Sequence, residues 1–433
     1  MLNQRARGMQ FSVRAVLTFL TSVLTGGAAL RSTAAVFESF VALWDLPTEA
    51  PHWTTGRLWL LRVGLYKLTR PKTIAEDWVW IVDHTVQIGV EKCFVVMGIR
   101  LRDLPPAGTC VRLEDLEPLH IHPMPQSNSE LVHEQLESVI TKTGVPRLIL
   151  DDRGSDLHGG VKRFCEQHPQ TSEISDITHK AARLLKSQLE ADEDWKGFCQ
   201  HAGQTKFQTQ QTELAFLVPP SQRSKARYMN LGPIVSWGSR TLKILESPSA
   251  EVLEWCLRER LEEKFGWLRN YREPLSRWSE WLELVTLAEH QVRCEGLTST
   301  CVDEIRQQLP PLATTGSGVR LAGELIAFVA EQCQALPEGQ RWIGTTEPLE
   351  SAFGKQKSLE RSATKTGFTS LLLGLGAVVG KTTAELVHRA LETCGTKQVI
   401  TWCQNHLGTT LQSKRRTAYA QDKKPDEKPN LST

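Results

Sequence analysis

The spacing of apolar positions changes near residue 73. Before it, the pattern has the 3.6-residue period of helices. The spacing predicts a helix over Phe11–Leu24, closed by Thr25-Gly26-Gly27, and a second over about Leu30–Trp44, closed by the loop 45–51. A third runs over about Trp53–Leu68, with Thr54 and Thr55 near its start. Two short helices before a third that carries Arg57 and Arg62 have the layout of a helix-turn-helix unit, whose last helix enters a DNA major groove. A plain three-helix cap has the same layout.

After Arg70-Pro71-Lys72 the period shortens to that of strands. Asp77–Asp83 and Lys92–Ile99 predict two strands joined near Gly89, and Leu119–His122 a third. A helix over Ser129–Lys142 follows, then a strand over Pro146–Asp152, a helix over Leu157–His168, a strand over Ser172–Ile177 and a helix over Thr178–Leu189. That order, β-β-β-α-β-α-β-α, predicts an α/β fold: a mixed five-stranded sheet with flanking helices. From about 191 to 340 no strand pattern stands out. Six of the chain's 13 tryptophans lie there among Leu, Arg and Glu, which predicts an all-α insertion. Leu349–Leu375 reads as helix, and the residues beyond Ser413 as a disordered tail. The expected division is 1–72, 73–190, 191–340, 341–410 and 411–433.

Composition adds limits. With 40% apolar and 23% charged residues, the chain is neither collagen, coiled coil nor wholly disordered. The net charge of +2 hides a segregation: +6 over residues 1–72 and +3 over 411–433, leaving −7 for the middle. Basic ends around an acidic middle suit a protein that binds a polyanion and holds cations centrally. The ten cysteines form no Cys-x-x-Cys pair, and several, such as Cys93, sit in apolar runs and read as small buried hydrophobes in a reducing cytosol. The apolar run Phe11–Leu24 is interrupted by Arg14, lacks a clean cleavage site and is too short to span a bilayer, so no membrane partner is expected.

Three acids stand out by context. Asp83 ends the first predicted strand in Ile81-Val82-Asp83-His84-Thr85, and Asp152 ends a later one in Leu150-Asp151-Asp152-Arg153-Gly154-Ser155. Glu350 opens a helix in Leu349-Glu350-Ser351-Ala352-Phe353-Gly354-Lys355-Gln356-Lys357. Carboxylates at neighbouring strand ends converge at one sheet edge, and a glutamate from a docked helix completes a cage for hard divalent cations. Two such ions about 4 Å apart suit phosphodiester chemistry. Lys357 and Arg361 share a helical face with Glu350, beside any bound phosphate.

On these three motifs the chain resembles the DDE transposases of bacterial insertion sequences, whose catalytic domain is RNase H-like (retroviral-integrase-like). The resemblance covers about 73–190 and 340–380. It implies that Asp83, Asp152 and Glu350 hold Mg²⁺ or Mn²⁺, and that the chain cuts and joins double-stranded DNA, element ends into target. It further implies a homo-oligomer on DNA and a cytoplasmic, nucleoid-associated location. The Asp-x-Gly-Ser match selects Asp152 over Asp151, which points to the other face of the strand. Two rivals are a nuclease of the same fold that cuts without joining, and a DNA-binding regulator with an inactive catalytic domain. The intact acids disfavour the regulator.

Other features are weighed beside these. Arg223, Lys225 and Arg227 precede a helix with Trp237 and form a basic-aromatic segment suited to phosphate contacts. His120-x-His122 is either a metal pair or one face of a strand. His179 and Lys180 either touch DNA or belong to a helix start capped by Asp176 or Thr178. The run Gly374–Thr382 mimics a phosphate loop, but Leu375 stands where that motif needs glycine.

Overall fold

The structure is a computed structural model. It describes all residues except 47, 87–90, 222–230, 299, 335, 338, 362–367, 410 and 422–433. The chain forms two compact units: one of residues 1–106, 111–174 and 346–433, the other of 107–110 and 175–345.

The first unit opens with α1 (Val13–Leu24), α2 (Leu30–Leu43) and α3 (Trp53–Thr69). Ser12 starts α1 by accepting the Ala15 N–H. The sheet follows: β1 (Trp78–Val86), β2 (Lys92–Arg100), β3 (Glu117–Met124), then α4 (Ser129–Thr143), β4 (Leu148–Asp151), α5 (Ser155–Gln167) and β5 (Ser172–Ser175). Its order is β3-β2-β1-β4-β5. β1 and β2 pair antiparallel, as do β2 and β3, while β1 and β4 run parallel, so the sheet is mixed as the pattern predicts. Alternation sends Trp78, Trp80, Val82, Phe94, Val96 and Ile149 into one core with Val132, Leu136 and Val139 of α4 and Leu157, Val161 and Phe164 of α5. The alternate residues Val79, Ile81, Val95, Met97, Leu148 and Leu150 are also fully buried. Two-sided burial explains why these strands read as nearly continuous apolar runs. Packing of α3 on β3, and of α14 (Glu347–Arg361) on β1, covers that second face.

The third helix is apolar on more than one side. An exposed recognition helix would be apolar on one side only, yet α3 buries Trp59, Leu60, Leu61, Val63, Leu65 and Leu68. It crosses α15 (Leu373–Val378) at backbone contact: a Cβ added to Gly64 would lie 1.9 Å from the Leu373 carbonyl oxygen. Lys67 is 1% exposed, and its ammonium donates to the carbonyls of Ala377 (3.1 Å), Val379 (2.8 Å) and Gly380 (2.8 Å) and to the Thr382 hydroxyl (2.9 Å). The phosphate-loop mimic is therefore a carbonyl nest for a lysine. The predicted helix 349–375 is not continuous either, since α14 ends at Arg361 and α15 begins at Leu373. The unit closes with α16 (Ala384–Thr393), α17 (Thr396–His406) and α18 (Leu411–Gln421), the last a helix where the sequence pattern predicts a disordered tail.

The second unit is helical: α6 (Ile177–Glu190), α7 (Glu193–Thr209), α8 (Leu231–Glu246), α9 (Ala250–Trp255), α10 (Arg258–Phe265), α11 (Arg272–His290), α12 (Cys301–Gln308) and α13 (Gly316–Gln334). Its tryptophans are mostly structural. Phe198 is ringed by Trp195, Trp237, Trp267 and Trp278 at centroid distances of 5.1–6.3 Å. Trp255 is 60% exposed, edge-on to Phe216. Cys110 and Cys294 form a disulfide, a pairing that the expectation of a reducing cytosol does not foresee. The pair is 184 residues apart, and no spacing rule joins them.

Candidate active site

The β1–β4 register runs Val79–Leu148, Trp80–Ile149 and Ile81–Leu150. Two residues beyond Ile81, Asp83 lies on the face opposite the α4–α5 core, because side chains alternate along a strand, and Asp152 stands just past the end of β4. Asp83 does not end its strand as expected, since β1 stays paired with β2 to Val86. It is 9% exposed, and its Oδ1 accepts the His84 N–H at 2.5 Å. Asp152 follows the last residue of β4 and is half-buried; its Oδ1 accepts the Gly154 N–H at 2.9 Å. The residue between, Arg153, has φ +59, a left-handed conformation that non-glycine residues adopt at a cost. The Asp-Arg-Gly turn thus aims the Asp152 carboxylate using a strained backbone.

Asp151, one residue beyond Leu150, lies on the α5 side, fully buried, with Oδ2 3.7 Å from His158 Nδ1.

The turn after Asp152 is tied to β1 and β2. Asp156 pairs with Lys92 Nζ at 2.6 Å and lies 4.0 Å from His84 Nδ1, while His84 Nε2 meets the Ser127 hydroxyl at 3.2 Å. Burial works to raise the Asp156 pKa, but hydrogen bonds from Lys92 and Ser127, with His84 close by, hold it down to about 2. Burial lowers His84 to about 4, against the pull of Asp156 and Asp152, so its ring is neutral at pH 7. His84 follows a motif residue directly, which is the only sequence signal that marks it.

Glu350 stands in the first turn of α14, the helix that packs on β1, where the helix N-terminus favours a carboxylate. Lys357 and Arg361, about two and three turns on, are exposed. Ala352, Phe353, Gln356 and Leu359 form the buried side of α14.

The remaining candidates fall elsewhere. Arg62 is 8% exposed and donates to the main-chain carbonyls of Leu391 and Cys394. Half-buried Arg57 donates to the Ser370 hydroxyl. Both arginines are engaged by the C-terminal segment of their own unit, which corrects their reading as DNA contacts. Arg223, Lys225 and Arg227 lie outside the described residues. His120 bonds the Gln135 amide oxygen at 2.8 Å and stacks on His122, and burial lowers its pKa to about 3. Asp176 caps α6 by accepting the Thr178 N–H at 3.0 Å and holds His179 Nδ1 at 2.8 Å, the helix-start alternative for that motif. Lys67 is absent from any sequence motif: its partners lie more than 300 residues away.

No protein-family model matches the chain, and no curated protein matches it. Among solved structures the chain is similar to the Drosophila P element transposase strand transfer complex, at 11% sequence identity and a TM-score of 0.41, over 92% of this chain and 94% of that chain. Among the described residues no helix is long and apolar enough to cross a membrane.

Proposed function

We propose that the first unit is an RNase H-like catalytic core and that the protein is a DNA transposase, a polynucleotidyl transferase that cuts and joins element ends. The observation that supports this reading is that β1, which carries Asp83, pairs in parallel with β4, directly after which Asp152 stands. Glu350 on the helix docked to β1 completes the set. Three carboxylates make an all-oxygen donor set, which suits Mg²⁺ or Mn²⁺. When bound, such ions activate water and stabilise a leaving oxygen in phosphodiester chemistry. The chain's own part is positional. The Asp152 turn, held by the Gly154 N–H, orients one carboxylate, and β1 holds the other in a buried wall. Exposed Lys357 and Arg361 lie on the same helix as Glu350 and would hold DNA phosphates.

The test is to incubate purified protein with DNA carrying its own element's ends, with Mg²⁺. Metal-dependent nicking plus covalent joining of 3′ ends to a second duplex supports a transposase. Nicking without joining would assign the protein to the nucleases, and neither product would remove the reading.

A further inference from the structure

The cluster on the other side of the sheet is not used by that reading. Asp151 at the end of β4, His158 in the first turns of α5 and Glu173 in β5 bring Oδ2, Nδ1 and Oε1 within 4.8 Å of one another. His158 Nδ1 is 3.7 Å from Asp151 Oδ2 and 2.5 Å from Glu173 Oε1.

Asp151 makes this more than a group of surface acids. Its side chain is 0% exposed, and Oδ2 has no hydrogen-bond donor among the described residues. Its other oxygen accepts the Arg153 N–H at 3.3 Å. A carboxylate oxygen removed from water without a donor is costly unless a cation meets it. The oxygen faces His158, whose side chain is 40% exposed and leaves a path to solvent. A protonated imidazole could neutralise Asp151 in part, but at 3.7 Å it makes no hydrogen bond to Oδ2.

We propose that Asp151, His158 and Glu173 form a second cation site, for a divalent transition metal of the zinc class, distinct from the Asp83–Asp152 face. One imidazole nitrogen and two carboxylate oxygens is a donor set for Zn²⁺ rather than Mg²⁺, with water in the fourth place. Donors about 2.0–2.2 Å from a tetrahedral ion stand about 3.4 Å apart. The Asp151–His158 separation is near that, and Glu173 needs only to draw back. Its role is structural. It ties the end of β4 to α5 and β5, and so fixes the strand end from which the Asp152 turn departs. The site does not depend on the transposase reading.

The experiment uses the full chain with Asp83→Asn, Asp152→Asn and Glu350→Gln, so that the other acids contribute no binding. Equilibrium dialysis against Zn²⁺ should leave a zinc equivalent that disappears, or weakens by more than about tenfold, when His158→Gln or Glu173→Gln is added. Zn²⁺ should also raise the melting temperature of the parent and not of the His158→Gln chain. His158 is half-exposed, so this variant should keep the circular dichroism of the parent. Equal zinc content with and without His158 would overturn the site, as would no zinc uptake by a folded parent. Neither result touches the cleavage and joining assay.

Discussion

Asp151, the last residue of β4, faces His158 on α5, and its chain neighbour Asp152 stands just beyond the strand, on the proposed side of Asp83. The two acids should therefore fail differently. Asp152→Asn keeps shape and loses charge, and should lower Mg²⁺-dependent cleavage by about three orders of magnitude, roughly 4 kcal/mol of barrier. DNA affinity should be nearly unchanged in gel shifts. Asp151→Asn should retain cleavage and shift the melting temperature. The reverse pattern would exchange their roles.

The crossing of α3 on α15 leaves no room for a side chain at Gly64. The clash of an added Cβ is with the Leu373 main chain, which cannot rotate away. Gly64→Ala should destabilise the first unit by about 3 kcal/mol, at the upper end of overpacking costs. Gly203→Ala, with nothing within 4 Å of the added atom, is the matched control in α7. Denaturant midpoints of the two variants give the comparison.

Lys67 makes the N-terminal helices part of the sheet-bearing unit. Removing residues 1–70 would strip four oxygens of their donor and expose the apolar wall of α15. The helix pattern before residue 73 suggests a separate binding region, and the structure groups residues 1–106 into one compact unit with 111–174 and 346–433. The truncated chain should lose cooperative unfolding by circular dichroism, and Lys67→Met alone should cost about 3 kcal/mol.

The linker after α3 carries a pH-dependent clamp. Glu117 of β3 accepts from Arg70 and, at 2.6 Å, from Lys72. Burial works to raise the Glu117 pKa, but the Lys72 ammonium and the hydrogen bonds from both cations hold it below the usual range. A carboxyl with a depressed folded pKa adds stability above its unfolded value, near 4.5, and loses it as pH falls through the lower folded value. Glu117→Gln should therefore flatten the acid limb of a stability–pH profile below about pH 5. An unchanged limb would show that the clamp adds nothing.

Lys357 and Arg361 should act on DNA through charge alone. Replacing both with alanine should weaken binding across all sequences and reduce the slope of log affinity against log salt by about 2, or 0.9 per contact. A variant that loses only preference for the element end would place base recognition on α14 instead.

How much of this is legible in the sequence depends on the range of the cause. The sheet is legible because alternation is local: Trp78, Trp80 and Val82 announce one face within five residues. The face on which Asp83 lies is legible for the same reason, since it follows from the alternation of β1. The fate of Arg57 and Arg62 is not. An arginine on a helix looks the same whether it will meet a phosphate or the carbonyls of Leu391 and Cys394. The end of α14 at Arg361 is also hidden, since an apolar run continues beyond it in Leu371–Leu373. The Cys110–Cys294 bond joins a short segment, 107–110, to a residue 184 positions along the chain, beyond the reach of any local pattern.

The carbonyl nest around Lys67 also sets an order in time. On the ribosome, Lys67 emerges 310 residues before Ala377. At about 5–20 residues per second, that interval lasts on the order of tens of seconds. Until then α3 has no α15 to pack on, and α14, with Glu350, has not been made. The nascent chain holds Asp83 and Asp152 but cannot complete its acid set. For the whole of that interval the apolar surface of α3 is without the helix it packs on.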